Sequence, residues 1–457
     1  MIIRDLPHCP AGNHRKQWSL LALIGCCAGL GCNTSTSNPG ASLRTVTFPS
    51  ASSEQWAKQA SVGTSSAGTA VNDFTTNISI SSQGNTVTAL GRAVPNPLPQ
   101  DGAPPIQEQE FLTSFDANGS NVNSTPIGQA VLAGITTLAT GTPDGNYAAA
   151  ANPETVGNSP TLLPLNVEKF GSSGAAIWTA TLPTTSQFTQ FRPSAIVADA
   201  TGDIYIAGSV SGPSIGLWGV FFAKFDGNSG ALAWQDEYSS INDGRVINIA
   251  TDPSGNLYVV GVGNGKFTSQ GTSSGWPPSF LAKLDSNTGK TTWSLPAPSG
   301  ISYIGVAVNA SGNGYLVGNF GTKLQIGYLA GFSAQSGALT WQEQFGNGTL
   351  LPTNVSIDAT GNAVFVGGVP GAGFVTNGAA SDLFVAKVDT NGQPVWMQEF
   401  GMGQEERGSD AIAPPSPYVV TDGQGGIYVA GITSGAFPGF QNPSGLGEAF
   451  VAKFANQ

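Results

Sequence analysis

The densest group of ionisable residues in the sequence is Glu405-Glu406-Arg407, followed three residues later by Asp410. Carboxylates at this spacing could coordinate a cation or hold a polar ligand, and Glu405 with Asp410 could act as acid and base in glycan cleavage. In an acidic protein the same run is typical of a solvated loop. We therefore predict a solvated loop and keep these four residues as ligand-binding candidates.

Two tryptophans and one short ionic pair complete the set of candidates. Trp218 and Trp276 lie in or beside predicted loops, where an indole could stack on a sugar ring or pack beneath its own loop. Asp243 and Arg245 could hold a ligand carboxylate or pair with each other. The structural explanation is favoured for all four residues, and a ligand contact stays open.

The exported form of the protein, as we predict it from the sequence, contains no histidine. Both histidines, His8 and His14, lie in an N-terminal segment that we expect to be removed, which excludes His-activated nucleophiles and most zinc sites. Residues 271–275 match the G-x-S-x-G motif, but no base is present to activate Ser273. We predict no catalytic residue, no metal and no cofactor, and we leave open whether the protein is an enzyme.

The first 31 residues have the form of a lipoprotein signal peptide. Basic residues end at Lys16, and residues 18–31 form an apolar stretch that is too short for a permanent membrane helix. Cys26 and Cys32 each follow a sequence that resembles a lipobox. We favour acylation of Cys32, because a fuller apolar run precedes it and a flexible polar tether, predicted over 32–53, follows it. Cys26 and an ordinary signal peptide remain alternatives.

Charge and cysteine content restrict the partners. Cleavage before Cys32 leaves 14 basic and 27 acidic residues, a net charge of −13, and a single cysteine. A basic nucleic-acid footprint is therefore absent, and no disulfide supports the fold. We expect a monomeric, exported lipoprotein of the outer membrane or cell surface. Its membrane contact would be the lipid anchor alone, and its partner an envelope or extracellular protein or glycan.

One pattern recurs along residues 54–457. It consists of an apolar strand, a turn with Asp or Asn and then Gly, a second strand ending in Gly, a third strand, and a strand beginning near Trp. The turn glycines, which recur at intervals of 49 to 64 residues, are Gly84, Gly145, Gly202, Gly255, Gly312, Gly361 and Gly425. Seven copies of four strands are typical of a β-propeller. The sequence predicts an all-β, seven-bladed propeller of four-stranded antiparallel blades.

The ends of the repeat array predict how the ring closes. The seventh copy stops at Phe454 and lacks a fourth strand, whereas an unmatched strand-like segment around Trp56 precedes the first copy. We expect this N-terminal segment to complete the last blade, which removes a sheet edge. The repeated Trp of the fourth strand is expected to pack in the core or to dock neighbouring blades. The repeated Lys of the third strand is expected to be solvated or to pair between blades.

Two family resemblances accompany this pattern. Residues 426–434 with Phe437-Pro438 and residues 448–453 resemble the bacterial seven-bladed β-propeller repeat (SBBP) family, over most of residues 54–457. Residues 285–293 are similar to the tryptophan-docking repeat of pyrroloquinoline-quinone (PQQ)-like propellers, a group with quinoprotein dehydrogenases and outer-membrane assembly lipoproteins. Both resemblances imply the same fold, and the first implies no established activity.

The connections differ between the two faces of the predicted ring. Numbering the strands a to d from the axis outward, the a–b and c–d turns are tight, whereas the b–c and d–a connections include long ones at 209–219, 262–279, 369–382, 401–413 and 432–448. A binding site is expected on the face with the long loops. The predicted function is a non-enzymatic envelope or cell-surface binding scaffold on a lipid anchor. The alternative is a propeller enzyme, either a quinone-dependent oxidoreductase or a carboxylate-based glycan-active enzyme.

Overall fold

The computed structural model describes residues 43–50, 54–59, 71–80, 86–95, 109–127, 137–151, 165–185, 190–212, 218–240, 244–263, 267, 278–320, 326–346, 350–369, 382–400, 417–433 and 448–456. The chain divides into two units, Met1–Pro39 and Gly40–Gln457, and every described residue belongs to the second. All regular elements of this described part are β-strands. The described residues contain no helix that is long and apolar enough to cross a membrane.

The strands form seven sheets that follow the chain order. The N-terminal strands are β1 (Leu43–Val46) and β2 (Glu54–Gln59). Blade one contains β3 (Val71–Ile80), β4 (Thr86–Pro95), β5 (Gln109–Asp116) and β6 (Asn121–Ile127). Blade two contains β7 (Thr137–Gly141), β8 (Tyr147–Ala151), β9 (Leu165–Phe170) and β10 (Ala176–Leu182). Blade three contains β11 (Gln190–Ala198), β12 (Ile204–Ser211), β13 (Trp218–Phe225) and β14 (Leu232–Ser240).

The remaining blades repeat this order. Blade four contains β15 (Arg245–Thr251), β16 (Leu257–Val262), β17 (Ser279–Leu284) and β18 (Thr291–Pro296). Blade five contains β19 (Ile301–Val308), β20 (Asn313–Phe320), β21 (Ile326–Ser333) and β22 (Leu339–Phe345). Blade six contains β23 (Leu351–Ile357), β24 (Ala363–Val369), β25 (Asp382–Val388) and β26 (Pro394–Phe400). Blade seven contains β27 (Tyr418–Thr421), β28 (Gly426–Thr433) and β29 (Glu448–Ala455), with β2 as its outermost strand. The predicted seven-bladed antiparallel propeller is confirmed.

Burial follows the position of each strand within its blade. The second and third strands are almost wholly buried, as in β16, because the neighbouring blades cover both of their faces. The fourth strand alternates between covered and exposed positions, as in β18, because its outer part meets solvent. This is why the middle strands are continuous apolar runs while the fourth strands mix apolar and polar residues.

The innermost strand of most blades contains a β-bulge opposite a glycine of the second strand. In blades three and four the register shifts between Pro193 and Ala195 and between Val246 and Asn248. A Cβ built on Gly208 would lie 2.1 Å from the carbonyl oxygen of Arg192, which is closer than any side chain tolerates. The glycine that ends the second strand of the repeat is therefore required by the close approach of the bulged strand.

The N-terminal strand closes the ring. β2 pairs antiparallel with β29, and Trp56 lies opposite Lys453 in that pairing. The prediction that the segment around Trp56 supplies the missing strand of the last blade is confirmed. Blade seven thus joins the two ends of the array, and its sheet has no missing outer strand.

Residues 43–50, which we call the N-terminal strap, lie along the outside of blades five and six. β1 pairs in parallel with β22, and Phe48 packs edge-on against Phe345 with their ring centroids 5.7 Å apart. The strap then reaches blade six, where the Met397 amide donates a hydrogen bond to the Pro49 carbonyl at 2.8 Å. The sequence predicts a flexible tether over 32–53, and the structure corrects its C-terminal part. Apolar and backbone contacts hold 43–50 on the outer edge.

The tight turns lie at one end of each blade, which we call the tight-turn face. In blade three the Asp199 carboxylate accepts hydrogen bonds from the amides of Thr201 and Asp203 at 2.9 and 3.0 Å, and Gly202 has a φ of 91°. These contacts explain the repeated Asp and Gly as turn residues, in agreement with the prediction. The b–c and d–a connections run at the opposite end, the long-loop face, where much of the longer chain lies outside the described residues.

Candidate functional site

The repeated tryptophans dock neighbouring blades at most of the interfaces. Trp234 donates from its indole nitrogen to the Ser286 carbonyl at 3.0 Å, and its ring covers Gly289 of the same turn. The same hydrogen bond joins Trp56 to Ala117, Trp178 to Gly227 and Trp341 to Thr390. These side chains are therefore structural, as the sequence predicts.

The repeated lysines of the third strand interlock the tight turns. Lys224 Nζ lies 2.9 Å from Asp203 Oδ2, and Lys387 Nζ lies 2.9 Å from Asp358 Oδ2. Burial alone would raise the pKa of Asp358, but hydrogen bonds from Lys387, Thr360 and the Asn362 amide outweigh it and lower the pKa to about 2. These ion pairs stabilise the tight-turn face within each blade, so the charges do not pair across blades as predicted. The lysine reaches the next blade through a hydrogen bond instead, as from Lys224 Nζ to the Ser286 carbonyl at 3.4 Å.

Not every interface has the full docking arrangement. The indole nitrogen of Trp293, on blade four, lacks a hydrogen-bond partner in the described part of the chain, although its ring packs on the next blade. The indole nitrogen of Trp396, on blade six, has no hydrogen-bond partner among the described residues. In other blades the acceptor for this nitrogen lies in the c–d turn of the next blade. Blade seven has no such turn, because β2 from the N-terminal part of the chain supplies its fourth strand. Between blades one and two, Thr88 instead bonds Ser114 at 2.7 Å and Tyr147 at 2.9 Å. Short polar contacts there replace the Lys and Trp of the other copies.

A channel runs along the axis of the ring. It encloses a cavity of about 490 Å³ and is lined by residues from all seven innermost strands. Its polar lining includes Ser79, Thr140, Asn248, Asn354, Ser356 and Thr421. None of the cavity-lining residues, which all belong to described strands, carries a charged side chain. The channel is therefore a neutral surface rich in hydroxyl and amide groups.

Hydrogen bonds between innermost strands hold the channel wall in place. Ser194 donates from Oγ to the Val246 carbonyl at 2.7 Å, and Thr421 donates from Oγ1 to the Ile357 carbonyl at 2.6 Å. Tyr418 also lines the channel; its hydroxyl is buried without a hydrogen-bond partner, and burial raises its pKa well above the ordinary value. Neighbouring innermost strands are thus joined by side-chain hydrogen bonds, and the Tyr418 hydroxyl is buried without a partner among the described residues.

Two arginines stand at the long-loop end of this channel. Arg192 and Arg245 occupy the same register position in blades three and four, each one residue before the position that faces the second-strand glycine. Both side chains are exposed. Each lies two residues beyond the nearest cavity-lining residue of its strand, Ser194 or Ile247. Their backbone positions therefore lie at the long-loop end of the channel.

Arg245 is one of the predicted candidates, whereas sequence reasoning missed Arg192. The signal was present in the repeat: each arginine comes seven residues before the turn aspartate of its own blade, Asp199 or Asp252. Aligning the copies on that aspartate would have placed the two arginines side by side. No single stretch of sequence shows this proximity, because 53 positions separate the two residues.

Trp218 begins β13 at the same end of blade three. Its backbone pairs with Ser211, which in turn pairs with Gln190 on the innermost strand. The structure thus brings Trp218 and Arg245 to the long-loop face of neighbouring blades. Phe267, in the b–c loop of blade four, is buried between these blades and stacks on Phe280 at 4.6 Å. This contact fixes one point of the loop.

The other predicted site residues lie outside the described residues: Cys26, Cys32, Asp243, Trp276, Glu405, Glu406, Arg407 and Asp410. Within the described part, no group of three or more His, Cys, Asp or Glu side chains is arranged to hold a metal ion. The described candidates are therefore Trp218, for its backbone position, and Arg245.

Comparison with known proteins finds distant structural similarities only. No family model matches the chain, and no curated protein matches it. A protein of unknown function from Dyadobacter fermentans is similar over 88% of this chain and 99% of its own, at 10% identity and a TM-score of 0.45. The β-propeller domain of the Trilobed protease from Pyrococcus furiosus, described as having an open velcro topology, is similar over 84% of this chain and 96% of its own, at 9% identity and a TM-score of 0.42.

A second protein of unknown function, from Bacteroides caccae, covers 64% of this chain and 93% of its own, at 11% identity and a TM-score of 0.39. These similarities carry no argument about ligand or activity. The resemblance of the repeats to the SBBP and PQQ-like families stays a prediction.

Proposed function

We propose that this protein is a non-enzymatic binding scaffold, an SBBP-like lipoprotein with PQQ-like blade docking, displayed on a lipid anchor at the envelope or cell surface. The observation that carries the proposal is the different composition of the two faces. Charged side chains of the repeat, such as Lys224, Lys283 and Lys387, are engaged in ion pairs at the tight-turn face. The long-loop face carries the variable connections on a rigid ring, which is how scaffolds present binding residues.

The N-terminal strap supports the anchored arrangement. Because residues 43–50 lie on the ring, an anchor at Cys32 would be joined to it by the ten residues 33–42. Ten residues span at most about 35 Å, so the ring would stay close to the bilayer. A partner would be an envelope or extracellular protein or glycan within that distance.

Metabolic labelling with a palmitate analogue tests the anchor. Cys32→Ala should abolish labelling and release the protein from the membrane fraction, whereas Cys26→Ala should leave both unchanged. The reverse pattern would assign the anchor to Cys26. Labelling of neither cysteine in the wild-type chain would contradict the anchor and leave an ordinary signal peptide.

Binding by the long-loop face is tested with the full chain in detergent. An array of envelope glycans and purified envelope proteins is probed with wild type, with a variant whose 434–447 segment is replaced by a short turn, and with the tight-turn control Asn287→Ala. Loss of binding in the loop variant alone supports the scaffold. Dye reduction in the presence of PQQ and Ca²⁺, or glycan cleavage, would instead support the enzyme alternative.

A further inference from the structure

The geometry points to a binding site for a carboxylate-bearing sugar at the long-loop mouth of the central channel, with Arg192 and Arg245 holding the carboxylate. The two arginines occupy equivalent positions on adjacent innermost strands, and the hydrogen bond from Ser194 to the Val246 carbonyl fixes those strands to each other at this point. This inference rests on the proposed binding function and names the ligand class of its long-loop face.

The exposed position of Arg192 is the first argument. Most basic side chains of the described blades have structural partners, as Lys169 has in Asp144 and Lys283 in Asp252. The Arg192 side chain is exposed at the long-loop end of the channel and makes no hydrogen bond or ion pair within the described part of the chain. A planar guanidinium matches a carboxylate with two parallel hydrogen bonds.

The channel below the arginines is the second argument. Its cavity of about 490 Å³ lies within the usual range for small-molecule sites, about 300 to 1,000 Å³. Its neutral lining offers hydroxyl and amide groups, among them Asn248, which directly follows the bulged position of blade four. Such a surface suits the hydroxyl groups of a ligand better than an apolar chain or a second charge.

The two features together define the ligand class. The charged end of the ligand lies at the arginines in the mouth, and its neutral hydroxylated part points toward the channel. A uronic acid, either free or at the end of a glycan, has both properties. Inorganic phosphate and acetate carry a negative charge but have no sugar hydroxyl groups. Neutral sugars have the hydroxyl groups but carry no charge.

Titration calorimetry on the full chain in detergent tests this site. D-galacturonate and D-glucuronate are compared with D-galactose, D-glucose, acetate and inorganic phosphate. At least one uronate should bind tenfold or more tightly than its neutral counterpart, and more tightly than acetate or phosphate. Arg192→Gln should weaken uronate binding at least tenfold, as expected for the loss of a charge-assisted hydrogen-bond pair. The control Lys290→Gln, an exposed partner of Asp236 on the outer part of the blades, should bind as wild type does.

A second variant separates the hydroxyl contacts from the charge. Asn248→Ala should weaken uronate binding and leave acetate binding unchanged, while the unfolding temperatures of all three variants stay at the wild-type value. The site is overturned if neither uronate binds the wild-type chain, or if Arg192→Gln binds uronate as tightly as wild type. Equal affinity for phosphate and uronate would overturn the sugar part of the assignment. Each of these failures leaves the loop-variant test of the scaffold function unaffected.

Discussion

Trp56 of the closing strand covers Gly119 in the c–d turn of blade one, so the last blade docks onto the first through the same contact that joins consecutive blades. A Cβ built on Gly119 would lie 2.7 Å from the indole, and the Trp56 nitrogen donates to the Ala117 carbonyl at 3.2 Å. Ring closure therefore uses the ordinary docking contact of the repeat, supplied by a strand from the other end of the chain.

We expect Trp56→Ala to destabilise the protein by about 3 kcal/mol, because it removes a large aromatic contact and the indole hydrogen bond between blades seven and one. Urea unfolding followed by tryptophan fluorescence and circular dichroism measures the free energy. Trp178→Ala removes the same contact between two blades that are continuous in sequence, and it serves as the control. An unfolding curve of Trp56→Ala that matches wild type would contradict closure through this strand.

The turn glycines offer a matched test of indole stacking. Gly119 and Gly145 both have a φ of 79°, but a Cβ on Gly145 meets nothing within 4 Å. Gly145→Ala should therefore cost about 1 kcal/mol of unfolding free energy, from backbone strain alone. Gly119→Ala should cost about 1 to 2 kcal/mol more, because the indole of Trp56 must also move. Equal losses in urea unfolding would show that the indole does not rest on the turn.

Acid stability should depend on the Lys387–Asp358 pair. The folded-state pKa of Asp358 is about 2 and its ordinary value is 3.8, so the pair stabilises the fold fully above pH 3.8. The stabilisation is then lost as the pH falls toward 2. Lys387→Met should cost about 3 kcal/mol at pH 7, because it leaves a buried carboxylate without its partner.

The pH profile of unfolding tests the origin of that loss. In Lys387→Met the pKa of Asp358 rises, so the variant should recover part of its deficit relative to wild type between pH 6 and pH 3. The double variant Lys387→Met/Asp358→Asn should show no such recovery. A deficit that is constant across this pH range would mean that packing, rather than charge, accounts for the effect.

The N-terminal strap should contribute to stability independently of the closing strand. Phe48 packs against Phe345 and Phe365, so Phe48→Ala should lower the free energy of unfolding by about 2 kcal/mol. The neighbouring Thr47 is exposed, and Thr47→Ala should change stability by less than about 0.5 kcal/mol. If both variants unfold as wild type does, the strap does not hold blades five and six together.

The repeat made most of the fold predictable. Turn aspartates, third-strand lysines and fourth-strand tryptophans recur because the blades pack against their neighbours in the same way. The unmatched segment around Trp56 predicted that the N-terminal strand closes the ring. β1 has no counterpart in the repeat, and its parallel pairing with β22 joins residues about 300 positions apart, as in Arg44 and Glu343. The sequence did not single out Arg192 as a site candidate for a related reason. Arg245 lies on the neighbouring innermost strand, but it belongs to a different copy of the repeat.

The route of the strap determines how the ring responds to mechanical tension. A force that pulls on the chain before residue 43 meets the ladder between β1 and β22 first, then Phe48, then the hydrogen bond of Pro49 to Met397. Only after these contacts rupture does tension reach Trp56 and the closing strand. The closed ring of blades is thereby protected from a pulling force at its N-terminal end. We expect the ring to remain closed at forces that already detach residues 43–50 from blades five and six.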